Sequence, residues 1–453
     1  MIGMSPSPSR DSSMETFREI RKLPVRFDRE PKDWRDRNGT VYREVEANVP
    51  LHSVSIKRVP GPIEEAFASG SSNIDELLAD GISRPNPLVT LRGSYALYTW
   101  LVEAPSAKKV LLWASGLVNP DDIDAAEFSP LGETGVWALT AKLPASWRAS
   151  YRIAVSEGEP PWRSSQGYGP VHKTALTASR PDPRAADGLT STVGTFSLAA
   201  GPDAPAELWR IPTEHRKDAR SLSNRSPDDL KRPSRGRVRH VSNGYQQAWI
   251  YSPETATPTL HTSSTPLANP TPLLLLFDGG TWMEGIKLPH LLDAAIASGA
   301  IAPIHVAMLD AGSEDERWES LGVPCGQVDA ALDWLLPLAR QEHNVSREGR
   351  DTWVAGQSLG GLSALWTVAL SEGEVRHAIA QSPALWRFNM AEPLIAAAAS
   401  WDSIDIKVGT FEGTDHLARE LADRVPGVDV ESFCGGHDWA CWRAGLFHAL
   451  ASI

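Results

Sequence analysis

The chain has 453 residues, of which 42% are hydrophobic and 22% charged, and its formal net charge at pH 7 is −12. This composition is typical of a soluble globular protein of two domains, and the negative charge argues against nucleic acid or an anionic membrane as a partner. No apolar run is long enough to cross a bilayer and the first 40 residues lack the apolar core of a signal peptide, so we expect a cytoplasmic protein.

Composition changes along the chain predict its domain organisation. Residues 1–40 are charged and rich in Ser and Pro, which predicts a mobile tail. Residues 41–200 begin with a helical segment and continue as short β-prone runs separated by Pro and Gly, a pattern typical of an antiparallel β-sandwich. Residues 201–240 carry few order signals and predict a linker. Residues 241–453 alternate strands with helices, which predicts an α/β domain with a mostly parallel sheet.

The predicted strands of this last region are short and apolar, and they are Tyr245–Tyr251, Leu273–Phe277, Ile304–Leu309, Thr352–Ala355, His377–Gln381, Ile404–Phe411 and Val428–Phe433. The predicted helices between and after them are Pro289–Ser298, Val328–His343, Leu417–Val425 and Trp439–Ala451. In a sheet of this kind, functional groups gather at the carboxyl ends of the strands.

One motif stands between a predicted strand and a predicted helix. The sequence Gly356-x-Ser358-x-Gly360 follows the strand and precedes a run rich in Leu and Ala. This context is the one that a nucleophile elbow requires, because the tight turn needs small flanking residues and lifts the serine hydroxyl above the sheet. The alternative is an ordinary glycine-rich turn. We predict that Ser358 is a nucleophile in an α/β-hydrolase fold.

A serine nucleophile needs a base and an orienting acid, which follow it along the chain in this fold. His437 follows a strand and two glycines and precedes the last helix, so we predict it as the base. The acid is expected on the loop after Ile404–Phe411. Asp415 is favoured there and Glu412 is the alternative.

An oxyanion hole needs two backbone N–H groups. The first is expected from Leu359, directly after the nucleophile. The second is expected from the loop after Leu273–Phe277, where Gly279 and Gly280 leave the backbone open, and we choose Gly280. The alternative is that these glycines only form the turn.

Several motifs together resemble the enterochelin (enterobactin) esterase family of ferric-siderophore hydrolases. They are Gly356-Gln357-Ser358-Leu359-Gly360-Gly361, Gly435-Gly436-His437-Asp438, and Leu276-Phe277-Asp278-Gly279 with Trp282. The likeness covers roughly residues 90–450. The acid loop is shorter than the resemblance leads one to expect, which leaves Asp415 and Glu412 both open.

The resemblance implies a cytoplasmic serine esterase that hydrolyses the trilactone backbone of a ferric catecholate siderophore such as enterobactin. Iron then arrives with the substrate, and neither a cofactor nor a protein metal site is expected. Arg317 resembles a family position near the substrate, and a guanidinium suits an anionic ferric complex; its alternative role is a surface salt bridge. Trp282 and Trp439 are candidates to stack on catechol rings, although core packing explains such residues equally well.

Two other functions remain open from the sequence. The first is an esterase or acyltransferase of the same fold that acts on a carbohydrate or lipid ester. The second is a non-catalytic protein that binds a siderophore through the sandwich and a Trp-rich cleft. The complete set of serine, acid and histidine argues against the second.

Overall fold

The computed structural model describes residues 20–26, 30–45, 48–54, 56–166, 168–191, 193–210, 235–254, 270–342 and 344–453. Within these ranges, no helix has both the length and the apolar character that crossing a membrane requires. The observed architecture is an α/β domain with an antiparallel β-sandwich before it.

The strands before the α/β domain are β1 (Ile20–Arg26), β2 (Asp33–Arg35), β3 (Val41–Arg43), β4 (Asn48–Val54), β5 (Leu88–Arg92), β6 (Tyr95–Glu103), β7 (Lys109–Ala114), β8 (Ser129–Pro130), β9 (Val136–Pro144), β10 (Arg148–Ser156), β11 (Ser179–Arg180), β12 (Gly188–Ser191) and β13 (Gly194–Ala200). Those of the α/β domain are β14 (Arg237–Ser242), β15 (Gln247–Ser252), β16 (Leu273–Leu276), β17 (His305–Leu309), β18 (Thr352–Gln357), β19 (His377–Gln381), β20 (Ser403–Gly409) and β21 (Val428–Phe433).

The helices are α1 (Pro62–Ala68), α2 (Ile74–Ser83), α3 (Tyr168–Ala178), α4 (Leu288–Ser298), α5 (Glu314–Ser320), α6 (Gln327–Asp329), α7 (Leu336–Ala339), α8 (Leu359–Leu370), α9 (Ala391–Ala396), α10 (Asp415–Arg424) and α11 (Trp439–Leu450). Two π-helical turns complete the α/β domain: Thr281–Gly285 after β16, and Ala330–Leu335 between α6 and α7.

The α/β domain is built on an eight-stranded sheet in the order β14-β15-β17-β16-β18-β19-β20-β21. The six strands β16 to β21 run parallel to one another, whereas β14 and β15 form an antiparallel edge. The four leucines of β16 are 0–1% exposed. Leu273 and Leu275 belong to the core on one face and Leu274 and Leu276 to the core on the other. Helices therefore cover both faces of the sheet, as an all-apolar parallel strand requires, and the predicted α/β-hydrolase fold is confirmed.

The sandwich consists of two antiparallel sheets. One has the order β5-β6-β9-β8, and the other has the order β11-β10-β13-β12 with β7 paired to β10. Aromatic side chains fill the space between them: the Tyr98 and Trp147 ring centroids lie 5.2 Å apart, and those of Trp100 and Tyr151 lie 5.9 Å apart. All four residues are fully buried, so this layer has its own core and the predicted sandwich is confirmed.

The predicted mobile tail is wrong for residues 30–40, although residues 1–19 and 27–29 lie outside the described ranges. Strands β2 and β3 pair as a hairpin, and the ring of Tyr42 lies edge-on to Trp366 of the α/β domain at 4.7 Å. The turn contains Asn38-Gly39, a strong hairpin signal that the charged composition of the segment concealed.

The predicted linker also contains ordered structure at both ends. Trp209 is buried and packs on Phe447 of the last helix, with ring centroids 4.8 Å apart. Strand β14 begins at Arg237, inside the predicted linker, and pairs with β15. Residues 211–234 between these points lie outside the described part of the chain.

A buried ion pair fixes the N-terminal hairpin to the α/β domain. Glu44 and Arg387 have side chains only 7% and 3% exposed, and their nearest charged atoms lie 2.9 Å apart. Burial favours the neutral carboxyl, but the Lys32 backbone N–H and the Arg387 guanidinium outweigh burial and lower the pKa of Glu44. Arg387 also donates to the carbonyl of Leu321 at 2.8 Å. The hairpin therefore holds the loop that follows β19.

Replacing Glu44 with Ala should destabilise the protein by about 3 kcal/mol, because it leaves the Arg387 cation buried without its partner. Thermal unfolding followed by circular dichroism measures the effect. The control is Lys32→Ala, which removes the exposed pair with Glu319 and a 5.9 Å contact with the Trp34 ring but keeps the backbone N–H bonded to Glu44, and it should cost less than about 1 kcal/mol. Equal shifts for the two variants would contradict the structural role given to the buried pair.

Candidate active site

Ser358 occupies a strained turn between a strand and a helix. It follows β18 and precedes α8, with φ 57° and ψ −120°. A positive φ in a residue other than glycine costs about 1–3 kcal/mol and persists only where the surrounding structure holds it. A Cβ added to Gly356 would lie 2.2 Å from the Gly360 carbonyl oxygen, so this turn tolerates no side chain there. These are the properties of a nucleophile elbow.

Backbone hydrogen bonds hold this turn against the neighbouring strand. The Ser358 N–H donates to the Gln381 carbonyl at 2.9 Å, and the Ser358 carbonyl accepts from the Ala384 N–H at 3.0 Å. Gln381 ends β19, so the nucleophile turn is fixed to the loop that follows the adjacent strand. Ser358 is only partly buried, which leaves it accessible to a substrate.

Glu412 and His437 form a carboxylate–imidazole pair at the same edge of the sheet. The His437 Nδ1 lies 3.1 Å from the Glu412 Oε2, and the two side chains are 48% and 2% exposed. Because a carboxylate only accepts, Nδ1 carries the proton and Nε2 is the nitrogen left to take one. Glu412 also accepts from the Gly409 N–H at 2.8 Å and from the Ser382 Oγ at 2.5 Å. The buried carboxylate is thus well satisfied and holds the imidazole in one tautomer.

Sequence analysis favoured Asp415 as the acid, and the geometry corrects that choice. Asp415 is the first residue of α10 and faces Arg419 at 3.8 Å within that helix. The chain turns sharply after β20, with Gly413 at a φ of 75°, so Glu412 already reaches His437. Both acids share one short loop, and only the path of that turn distinguishes them.

The three predicted groups follow neighbouring parallel strands. Ser358 follows β18, Glu412 follows β20 and His437 follows β21, so all three lie at the carboxyl edge of the sheet. The loop after β19 connects them: Gln381 accepts from the Ser358 N–H, while Ser382 donates to Glu412. Sequence analysis missed this role of Ser382, whose φ of 45° marks a second strained position.

The predicted oxyanion loop is tied to the residue before the nucleophile. Asp278, which has a φ of 59° and is 4% exposed, accepts from the Gln357 side-chain amide at 2.5 Å. A Cβ at Gly280 would lie 2.5 Å from an Asp310 carboxylate oxygen, so a side chain there would have to displace the Asp310 carboxylate. As the first helical residue, Leu359 has an N–H without an acceptor inside α8. Both predicted N–H donors therefore stand on rigid segments.

Arg317 takes a different role from the one predicted. Its Nε and Nη2 donate to the two carboxylate oxygens of Asp278 at 2.7 and 3.1 Å, and its side chain is 15% exposed. Burial alone would lower the pKa of Arg317, but the Asp278 carboxylate outweighs burial and raises that pKa. The guanidinium fork is thus committed to holding the oxyanion loop rather than presented to a substrate.

The two predicted tryptophans differ in exposure. Trp282 is 0% exposed and its Nε1 donates to the Gln357 side chain at 3.3 Å, so its prediction as a stacking surface is wrong. Trp439 is partly buried and lies edge-on to Trp282 and Trp442, with centroids 5.4 Å away in each case. Its role in substrate binding stays a prediction.

The sandwich supplies contacts that hold the histidine loop. Asp438 caps α11 through the Ala440 N–H and accepts from the Ser150 N–H and Oγ at 2.5 and 2.6 Å. The Ser115 Oγ donates to the His437 carbonyl at 3.2 Å. Asp438 is buried, and burial raises its pKa. Sequence analysis gave no sign that Ser150 of β10 and Ser115, directly after β7, anchor this loop.

The fold and this geometry define the class of protein: an α/β-hydrolase that presents a serine on a nucleophile elbow. Two family models match the chain. "Enterochelin esterase, N-terminal" covers residues 97–210, and "Putative esterase" covers residues 257–453. The first coincides with the sandwich and the second with most of the α/β domain.

Curated relatives match across both domains. An iron(III) salmochelin esterase of Escherichia coli O6:H1 is 26% identical over 84% of this chain and 94% of its own length. An iron(III) enterobactin esterase of Escherichia coli K12 is 23% identical over 78% of this chain and 88% of its own length. The two family models and these relatives confirm the predicted resemblance to the enterochelin esterase family.

Solved structures support the same fold. The ferric enterobactin esterase of Salmonella typhimurium superposes with a TM-score of 0.67 at 19% identity, covering 83% of this chain and 98% of that one. An enterobactin esterase from Shigella flexneri, crystallised in the presence of enterobactin, gives 0.65 at 21% identity over 84% and 98% of the two chains.

Replacing Glu412 with Gln should lower kcat on a p-nitrophenyl ester by about 10³–10⁴-fold, because the amide no longer holds the imidazole in the right tautomer or stabilises its charged form. The matched control is Asp415→Asn on the same loop, which should change kcat less than about twofold. A larger loss in the Asp415 variant would restore Asp415 as the acid.

Replacing Ser150 with Ala removes one of the bonds that hold Asp438 beside His437. We expect about a tenfold lower kcat with little change in KM, since a small displacement of the base slows proton transfer. Ser156→Ala is the control, because Ser156 lies on the same strand and its hydroxyl donates to Gly158. If steady-state kinetics give equal losses for both variants, the anchoring role is wrong.

Proposed function

We propose that this protein is a serine esterase that hydrolyses the ester backbone of a ferric catecholate siderophore, such as the trilactone of enterobactin. The observation that carries the esterase activity is the strained Ser358 at the same sheet edge as the Glu412–His437 pair. The substrate class is supported by the curated relatives, which are named as iron(III) salmochelin and enterobactin esterases.

In the proposed reaction, His437 takes the Ser358 proton on Nε2 as the hydroxyl attacks the ester carbonyl. The Leu359 and Gly280 N–H groups receive the oxyanion of the tetrahedral intermediate. His437 then protonates the departing alcohol, which leaves an acyl group on Ser358. Water attacks this ester with His437 again as the base, and the free acid and the serine are released.

In this proposal Glu412 stabilises His437 during both acylation and deacylation through its contact with Nδ1. Each time His437 takes a proton it becomes briefly cationic, and a buried carboxylate at 3.1 Å stabilises that charge. None of these steps uses a metal, so iron enters only as part of the substrate. Opening the trilactone releases the three catechol arms from the ring that pre-organises them, which weakens their chelation of iron. We place this reaction in the cytoplasm.

The Ser358→Ala variant should lose turnover to the background rate while it still binds the ferric complex, because the hydroxyl makes the bond that defines the reaction. Mass spectrometry of products from an iron-loaded trilactone siderophore measures turnover, and a fluorophosphonate probe should label the wild type but not the variant. Hydrolysis retained in the variant would contradict the assignment of Ser358.

The same assay discriminates between substrates. We expect the ferric trilactone to be cleaved with a kcat/KM at least about 100-fold above that of a feruloyl or acetyl-sugar ester, because binding energy from the catechol arms is used in the transition state. A preference for the carbohydrate esters would move the protein to another activity on the same fold.

A further inference from the structure

Arg152 of β10 lies among aromatic side chains, on the face of its sheet that points away from the other sheet of the sandwich. It stands opposite Trp113 in the β10–β7 pairing, and its guanidinium carbon lies 5.3 Å from the centre of the Phe196 ring. The ring of His172, on α3, lies 5.2 Å from that of Trp113. Arg152 is partly exposed, and among the described residues no carboxylate forms an ion pair with it.

Two hydrogen-bond donors at this place lack acceptors. The Arg152 Nε and the Trp113 Nε1 are both buried, and neither has a hydrogen-bond partner within the described ranges. Trp113 as a whole is only 7% exposed. Buried donors are usually paired in proteins, so these two donors, on facing residues of β10 and β7, are available to an acceptor that comes from outside the chain. Burial and the nearby Arg180 cation lower the pKa of Arg152, and an anion would relieve both effects.

Arg152 and Trp113 lie two residues along the chain from Ser150 and Ser115, the residues that contact the loop of His437. Side chains two residues apart on a strand share a face, so Arg152 is on the face of Ser150, which binds Asp438. Trp113 is likewise on the face of Ser115, which binds the His437 carbonyl. The spacing along a strand makes this step about 7 Å.

The β12–β13 hairpin lies between Arg152 and the turn that follows the predicted oxyanion loop. A Cβ at Gly194 would lie 3.7 Å from the Arg152 Nη1, and Gly194 begins β13 next to the β12 hairpin strand. In the same hairpin, the Thr190 carbonyl packs against Gly285, where a Cβ would lie 2.2 Å from it. Gly285 ends the π-helical turn that follows Gly280. Arg152 therefore lies between Ser150, which contacts the loop of His437, and the β12–β13 hairpin, which contacts the turn that follows Gly280.

We propose that Arg152 and Trp113 form a subsite that binds the oxygens of one catecholate arm of the substrate. This proposal rests on the proposed function. A ferric tris-catecholate is anionic, whereas the chain carries a net charge of −12, so binding needs a local cation. Arg317 is committed to Asp278. Arg152 retains its donors, and the Trp113 N–H adds a second donor beside them.

The test compares binding of one ferric catecholate siderophore to Ser358→Ala and to Ser358→Ala/Arg152→Met by equilibrium titration. Loss of a charged hydrogen-bond donor should raise Kd at least about tenfold, and the dependence of Kd on salt should weaken. Arg152→Lys keeps the charge and should fall between the two. The control is Ser358→Ala/Arg92→Met, since Arg92 is an exposed sandwich arginine whose side chain donates to its neighbour Leu91; its Kd should not change.

Measuring turnover of the ferric siderophore distinguishes an error in the proposed subsite from an error in the proposed function. Wild type that does not hydrolyse the ferric siderophore contradicts the proposed function, whereas equal Kd values for the first two variants overturn the subsite. In the enzyme with Ser358 intact, Arg152→Met should lose at least about tenfold more kcat/KM on the ferric siderophore than on a neutral p-nitrophenyl ester.

If Arg152→Met unfolds, Trp113→Phe replaces it, because this change keeps an aromatic ring and removes only the Nε1 donor. We expect its Kd for the ferric siderophore to rise about three- to tenfold in the Ser358→Ala background. Unchanged Kd values in both Trp113→Phe and Arg152→Lys would overturn the proposal.

Discussion

The backbone of Ser358 is the constraint on which the active site depends. A φ of 57° in a serine is unfavourable by itself, and the chain maintains it by packing glycines against the turn and by hydrogen bonds to the loop after β19. That loop also contributes Ser382 to the carboxylate Glu412. The same segment therefore holds the turn at Ser358 through backbone hydrogen bonds and the Glu412 carboxylate through the Ser382 hydroxyl.

The site is shared between the two domains. The α/β domain carries the proposed nucleophile, acid and base, but the sandwich contacts the loop of His437 through Ser150 and Ser115. Phe411, next to Glu412, is buried in the sandwich core. Contacts with the sandwich therefore support the loops that carry His437 and Glu412. Arg152 and Trp113, the residues of the proposed subsite, lie on β10 and β7, the strands that carry Ser150 and precede Ser115.

The sequence predicted those features that local patterns encode. The strand–turn–helix context predicted the turn at Ser358, and two glycines after a strand predicted the loop at His437, because steric demands on tight turns restrict the residues allowed there. Burial and side-chain partners depend on tertiary contacts, so sequence alone did not predict that Trp282 is enclosed or that Arg317 is neutralised by Asp278. Sequence analysis favoured Asp415 over Glu412, because the turn at Gly413 that brings Glu412 to His437 cannot be read from the loop sequence. The hairpin at Asp33–Arg43 was missed because its stability comes from docking on Trp366 and Arg387 rather than from its own composition.

The most direct measurement traps the covalent intermediate. The wild-type enzyme is mixed with a ferric trilactone siderophore, quenched with acid during turnover, and digested for peptide mass spectrometry. The account predicts an acyl adduct whose mass equals the opened siderophore ligand or a fragment of it, attached to Ser358. Turnover with an adduct on another residue, or complete conversion with no acyl-enzyme at any quench time, would contradict it.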